Sequence, residues 1–143
     1  MIRLLLVRHA SAGDRDAWVG DDRPRPLDRR GRLQAAALPA LLAPHDVTRI
    51  VTSPYARCVQ TVEPLATALG LVPELREELA EGSGAAVLEL LHTLGDGTAL
   101  CTHGDVVETL VGSDRPKKKG STWLLEVSRD GVVTAVEYLP PPA

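Results

Sequence analysis

The feature that most constrains this chain is its opening strand pattern, Ile2 to Val7, with an unbroken apolar core of Leu4-Leu5-Leu6-Val7 that stops at Arg8-His9. A run without polar alternation is the signature of a strand covered on both faces, the situation of parallel sheets in α/β proteins. Val47 to Thr52, Thr98 to Thr102, Thr122 to Val127 and Val132 to Tyr138 read as further strands. The last two flank Ser128-Arg129-Asp130-Gly131, whose Asp-Gly pair predicts an antiparallel hairpin. Helical patterns lie between the strands. Ser53-Pro54 reads as the capped start of one, with Val62, Leu65, Ala66 and Leu69 at helical spacing and Gly70 as its stop. Asp28 caps a second that runs through Ala43, with Leu33, Ala37 and Leu41 on one face and Pro39 expected to kink or split it. Shorter helices are expected over Ala85 to Leu94 and Asp105 to Val111. The alternation predicts a three-layer α/β/α sandwich around a mostly parallel central sheet.

At 143 residues and 15.3 kDa the chain is expected to form one domain over 1–143. Aromatics make up 3% with no Phe, so Leu, Val, Ile and Ala must build the core. Lys and Arg total 16 against 19 Asp and Glu, a net charge of −3. No overall positive field exists to hold a nucleic acid polymer, so only a local basic pocket can serve an anion. Cys58 and Cys101 make no secreted-type disulfide framework and read as small core residues. The N-terminal apolar run is too short for a signal peptide and nothing approaches the length of a membrane span, so a soluble, cytoplasmic chain without a membrane partner is expected.

Open α/β sheets bind ligands beyond the carboxyl ends of their strands. That rule selects Arg8-His9, Ser53 to Arg57 and His103-Gly104, three distant segments that bring groups suited to one anion. A neutral imidazole at His9 is a competent nucleophile toward phosphorus, with Arg8 to neutralise phosphoryl oxygens; otherwise the pair makes strand-end hydrogen bonds. Arg57 in the first helical turn leans back toward the strand end, where free helix amides also favour an anion. His103 either donates to a phosphoryl group or caps its helix, and Gly104 lets the backbone come close. Lys119 lies in the Lys117-Lys118-Lys119 run, either a solvated loop or a lid over an anionic substrate. Arg15, Arg23 and Arg25 are either surface residues or contacts for the rest of the substrate. His45 and His92 read as surface residues. A metal site from His9, His103 and an Asp matches no compact metal motif, so no metal is expected.

Leu5-Leu6-Val7-Arg8-His9-Ala10, Gly31-Arg32-Leu33-Gln34-Ala35, Ser53-Pro54-Tyr55-Ala56-Arg57-Cys58-Val59-Gln60-Thr61 and Cys101-Thr102-His103-Gly104 together resemble the histidine phosphatase superfamily, of phosphoglycerate mutase-like fold. The short length and the Arg-His-Ala form resemble its small SixA-like branch, with Ala10 where the family usually has Gly. Asp21-Asp22-Arg23 through Pro26-Leu27, with Lys119-Gly120-Ser121-Thr122, are similar to the phosphatase domain attached to some Nudix hydrolases. No Nudix box is present.

The resemblance implies that His9 is transiently phosphorylated while Arg8, Arg57 and His103 hold the phosphoryl group, with Ser53, Gly104 and Lys119 as further substrate contacts. It also implies a glutamate proton donor, for which Glu77, Glu78 and Glu81 are candidates and Glu81, then Glu78, is preferred; some SixA-like members lack this acid. The expected reaction is ping-pong hydrolysis of a phosphomonoester or phosphohistidine, without metal or cofactor. The partner is then a phosphorylated small molecule or a phosphohistidine protein. Alternatives are a nucleotide or small phosphometabolite phosphatase working beside a Nudix hydrolase, a phosphomutase, and a non-catalytic phosphate-binding domain.

Overall fold

The computed structural model describes residues 1–142. Its strands are β1 (Ile2–Arg8), β2 (Arg49–Thr52), β3 (Glu74–Leu75), β4 (Thr98–Thr102), β5 (Thr122–Val127) and β6 (Val133–Leu139). Its α-helices are α1 (Arg29–Leu42), α2 (Ala56–Leu69), α3 (Ala86–Leu91) and α4 (Gly104–Val111). The strands form one six-stranded sheet in the order β3-β2-β4-β1-β5-β6. Pairings β3–β2, β2–β4 and β4–β1 are parallel, while β1–β5 and β5–β6 are antiparallel. The expected mostly parallel sandwich is therefore the observed one, and Gly131, at a φ of 83°, turns the β5–β6 hairpin.

β1 shows why its run is apolar throughout. Leu4 and Leu6 pack with Leu79, Val87, Leu91, Val106, Val107 and Trp123 on the α3–α4 side. Leu5 and Val7 point the other way, among Leu38, Leu42, Cys58, Val62 and Leu65 on the α1–α2 side. Successive strand side chains alternate faces, so a strand between two helical layers is apolar at every position. Each such side chain contributes roughly 1.5–3 kcal/mol by leaving water.

The helices correct several sequence expectations. Asp28 does cap α1, its carboxylate accepting from the Gly31 N–H at 2.8 Å. The buried face of α1, however, is Gly31, Gln34, Ala35, Leu38 and Leu42, and Leu33 is 61% exposed. Pro39 neither splits nor ends the helix: Leu38 and Leu42 on either side are locked into the α2-facing core, which outweighs one lost backbone bond. α2 starts at Ala56 with Tyr55 as N-cap, not at Ser53-Pro54, and tolerates Pro64 in its interior. It ends where expected, with Gly70 left-handed at φ 68°. α3 is confined to Ala86–Leu91, β2 begins only at Arg49, and the two-residue β3 is too short to give a periodic signal. His45 is half-buried, whereas His92 is exposed as expected. Among the described residues, no helix is long and apolar enough to cross a membrane.

Candidate active site

Sheet register assembles the site. Arg8 of β1 lies opposite Thr102 of β4, and Thr52 of β2 lies opposite Cys101. The ladder continues one residue further on each side: the His9 N–H donates to the Thr102 carbonyl at 3.0 Å, and the Ser53 N–H donates to the Cys101 carbonyl at 2.9 Å. His9, Ser53 and His103 thus leave three adjacent parallel strands at one level, and all three are buried.

The His9 ring has a defined tautomer. Its Nδ1–H donates to the Ala10 carbonyl at 2.8 Å, which leaves Nε2 with the free lone pair. Burial pushes His9 well below its usual value of 6.5; the Ala10 carbonyl opposes this, and the charges of His103, Arg57 and Arg8 add to it. The imidazole is therefore neutral at physiological pH. The loop that carries it is braced by α2, where Thr61 Oγ1 accepts from the Ala10 N–H at 3.0 Å and donates to the Arg57 carbonyl at 2.6 Å. α1 braces it too: Gln34 Oε1 accepts from the Ser11 N–H at 2.9 Å.

Arg57 has no solvent exposure. Its Nη1 donates to the Asp22 carbonyl at 3.1 Å, and its Nη2 pairs with Asp22 Oδ2 at 3.0 Å and lies 3.6 Å from Glu81 Oε2. The same Nη2 donates to His103 Nδ1 at 3.4 Å, and His103 Nε2 then donates to Ser53 Oγ at 2.9 Å. The Arg57 guanidinium also stands over the Tyr55 ring at 4.8 Å, and Tyr55 meets His103 edge-on at 4.7 Å. Arg8 is fixed by Nη1 donating to the Lys117 carbonyl at 2.6 Å. Burial lowers the Arg8 guanidinium, against the opposing charges of Asp105, Glu108 and Glu81. The Nε atoms of both Arg8 and Arg57 are buried without a hydrogen-bond partner. Two orphaned guanidinium donors at one strand-end cluster are what an oxyanion would satisfy.

The structure thus brings His9, Arg8, Arg57 and His103 together, and it revises the parts of several neighbours. Ser53 is an inner support of His103 rather than a helix cap or an open contact. Gly104 makes room for a side chain: a Cβ there would lie 3.0 Å from Arg8 Cζ. Lys119 is exposed on a loop folded over β1, where the Gly120 N–H donates to the Arg8 and His9 carbonyls at 3.1 and 3.0 Å. Partial burial and the charges of Arg8 and Arg25 lower its ammonium. Cys58 and Cys101 are fully buried, and Cys58 Sγ lies 3.6 Å from His103 Nε2.

Of the three glutamates, Glu81 sits nearest Arg57 and is ion-paired with Arg15. Glu77 is paired outward with Arg23 at 2.9 Å. The loop bearing Glu81 is anchored over β4 and α4, where Thr102 Oγ1 donates to the Leu79 carbonyl at 2.6 Å and the Gly82 N–H donates to Asp105 at 2.8 Å. Arg25 is no substrate contact: it is buried between Asp22 at 2.8 Å and the Ala12 carbonyl. Sequence reasoning missed Asp22, Tyr55, Thr61 and Gln34 as parts of the site. Thr61 and Tyr55 stand inside the Ser53–Thr61 block, and Asp22 stands beside Arg23 in a stretch where the arginines are the more obvious candidates. Among the described residues no group of three or more His, Cys, Asp or Glu is arranged to hold a metal ion.

Comparison with known proteins agrees with this geometry. Residues 4–86 match the histidine phosphatase superfamily (branch 1). The chain is 41% identical to the 8-oxo-(d)GTP phosphatase of Mycolicibacterium smegmatis over 97% of its own length, and spans about half (48%) of that protein. Its fold is similar to that of the protein histidine phosphatase SixA complexed with tungstate, with a TM-score of 0.79 and 19% identity over 98% of this chain and 97% of the other. A SixA protein of Nakamurella multipartitia gives a TM-score of 0.79 and 25% identity over 99% and 97%. The superfamily match runs through the first histidine, the Arg57 helix and the glutamate-bearing loop, and the small SixA-like proteins share the fold from end to end: the chain belongs to the histidine phosphatase superfamily.

Proposed function

We propose that this chain is a metal-independent phosphatase that hydrolyses phosphomonoesters or phosphohistidine through a phosphohistidine intermediate on His9. The observation that carries the reading is the neutral His9 ring, held through Nδ1 with Nε2 free, in a cluster with two arginines whose Nε donors are unpaired. The Nε2 lone pair attacks phosphorus in line, the P–N bond forms, and the bond to the leaving group breaks. Water then attacks the phosphorus of phospho-His9, the P–N bond breaks, and phosphate leaves. Arg8 and Arg57 spread the charge of the equatorial oxygens, and His103, held between Arg57 Nη2 and Ser53 Oγ, lines the same cluster. Ser53 and Gly104 act behind these groups, holding His103 and admitting Arg8. Lys119, exposed on the loop folded over β1, is the contact for the rest of an anionic substrate.

Glu81, whose Oε2 lies 3.6 Å from Arg57 Nη2, is the glutamate that hands a proton to the leaving group in this reading. Its other carboxyl oxygen pairs with Arg15. A leaving group that departs with little help from an acid, such as the imidazole of phosphohistidine, asks least of it. A second reading, a nucleotide phosphatase, is supported by the 41% identity to a protein named 8-oxo-(d)GTP phosphatase. Both readings use the same His9 chemistry and differ in what occupies the mouth.

Phosphate release from p-nitrophenyl phosphate in the presence of EDTA, for wild type and His9→Ala, tests the proposal. Release that survives EDTA and is lost in the variant is the expected result. Release that persists in His9→Ala would overturn the mechanism, and phosphohistidine and nucleoside phosphates compared at equal concentration then rank the two substrate readings.

A further inference from the structure

We propose that Asp22 is the positioning residue for Arg57, setting the orientation of its guanidinium toward the transferred phosphoryl group and tying that orientation to the loop that carries His9. This role rests on the proposed function, in which Arg57 holds that group.

One residue occupies both terminal nitrogens of the fork. The Asp22 carbonyl accepts from Arg57 Nη1 at 3.1 Å, and Oδ2 pairs with Nη2 at 3.0 Å. Two bonds from one residue fix the plane of a guanidinium as well as its position, which a single contact does not. With Nη1 and Nη2 engaged in this way, Nε is left as the unpartnered donor of a fully buried cation. The other carboxylate oxygen reaches back: Oδ1 accepts from Arg25 Nε at 2.8 Å, and Arg25 Nη1 donates to the Ala12 carbonyl. Ala12 belongs to the loop that leaves His9. A continuous chain of bonds therefore joins the phosphoryl-binding arginine of α2 to the nucleophile loop of β1 through a single carboxylate. Glu81 is a weaker partner of the same guanidinium, farther off at 3.6 Å and engaged by Arg15.

A carboxylate that merely neutralised a buried arginine would affect folding and leave the chemistry of the folded protein untouched. A positioning residue acts on the transition state more than on the bound substrate. Asp22 retains about 29% side-chain exposure, so the isosteric Asp22→Asn change is expected to fold. We expect Asp22→Asn to lower kcat for p-nitrophenyl phosphate roughly 10- to 100-fold, with KM changed less than about threefold. Asp22→Glu, which keeps the charge but lengthens the arm, should recover only part of that loss.

The deciding experiment is a double-mutant cycle between Asp22→Asn and Arg57→Lys, with thermal unfolding followed for every variant. An ammonium in place of the guanidinium keeps the charge but removes the fork, so the Asp22→Asn effect on kcat should collapse to within about twofold in the Arg57→Lys background. A full, additive loss in that background would overturn the assignment, as would an Asp22→Asn enzyme with wild-type kcat. Wild-type kcat and KM in Arg57→Lys alone would instead remove the reading that Arg57 holds the phosphoryl group. The two failures are therefore told apart. Should the asparagine variant unfold, Asp22→Glu in the same two backgrounds supplies the cycle.

Discussion

The rings of His9 and His103 meet edge to face, with centroids 5.4 Å apart and planes inclined at 64°. Nothing in their separation along the chain brings them together; the parallel β1–β4 register does, by setting Arg8 opposite Thr102. Each histidine is then held by a different hydrogen bond, His9 by its neighbour's carbonyl and His103 by Ser53. In the proposed reaction their work differs accordingly: His9 attacks, and His103 supports the group under attack.

In the proposed mechanism His9 must be neutral to attack phosphorus, and burial holds it well below 6.5. A histidine with a depressed native value stays unprotonated as the pH falls past 6.5. The acid limb of kcat/KM should therefore fall clearly below pH 6.5 and not at the ordinary histidine value. The same depression means that the unfolded chain takes up a proton near pH 6.5 that the folded chain refuses. Stability should accordingly decline as the pH drops below about 6.5, and His9→Ala should lessen that decline. A pH–rate profile and denaturant melts across the acid range check both.

Ser53→Ala removes the hydroxyl that accepts from His103 and leaves a buried ring nitrogen short of its partner. The expected cost is about 1–2 kcal/mol, read as a roughly 5- to 30-fold fall in kcat/KM. Steady-state kinetics with an aryl phosphate measure it.

Gly31 has a role independent of turn geometry. A Cβ at this position would lie 1.9 Å from the Ser11 carbonyl oxygen, a backbone atom with nowhere to go. Gly31→Ala should therefore destabilise the protein by about 1–3 kcal/mol despite the better helix propensity of alanine. Thermal unfolding should show a Tm lower by roughly 5–10 °C.

Gly104→Ala makes a contrasting case. Its Cβ would press on Arg8 at 3.0 Å, a side chain able to shift but already held by the Lys117 carbonyl. Alanine also suits the start of α4, so Tm should stay within a few degrees, by the helix propensity of about 1 kcal/mol that opposes the strain. Activity should not: kcat/KM is expected to fall roughly tenfold as the Arg8 guanidinium is displaced.

Much of this fold is legible in the sequence because burial on both faces writes itself into composition. β1, β4 and β5 can be read nearly to the residue for that reason. The face of α1 cannot, because Gln34 and Gly31, a polar residue and one without a side chain, occupy its buried stripe. Gln34 is there to hold the Ser11 N–H, a demand of the site rather than of the core. Pro39 misleads as a helix breaker because tertiary packing overrides the local penalty. His9, Arg8, Arg57 and His103 can be found from strand ends alone, since a parallel topology gathers the residues just past its strands at one edge of the sheet. Asp22 cannot. It lies in an irregular loop, and its importance comes from a contact 35 residues away that no spacing encodes.

A covalent phosphohistidine at His9 is the step on which the proposed chemistry depends. The direct test is to mix the protein with a 32P-labelled phosphomonoester in EDTA, quench with alkali within the first turnovers, and locate the label by peptide mapping. The predicted result is base-stable, acid-labile label on the peptide containing His9, absent from His9→Ala and chased away by unlabelled substrate. Turnover with no label on His9, or label on another residue, would contradict it.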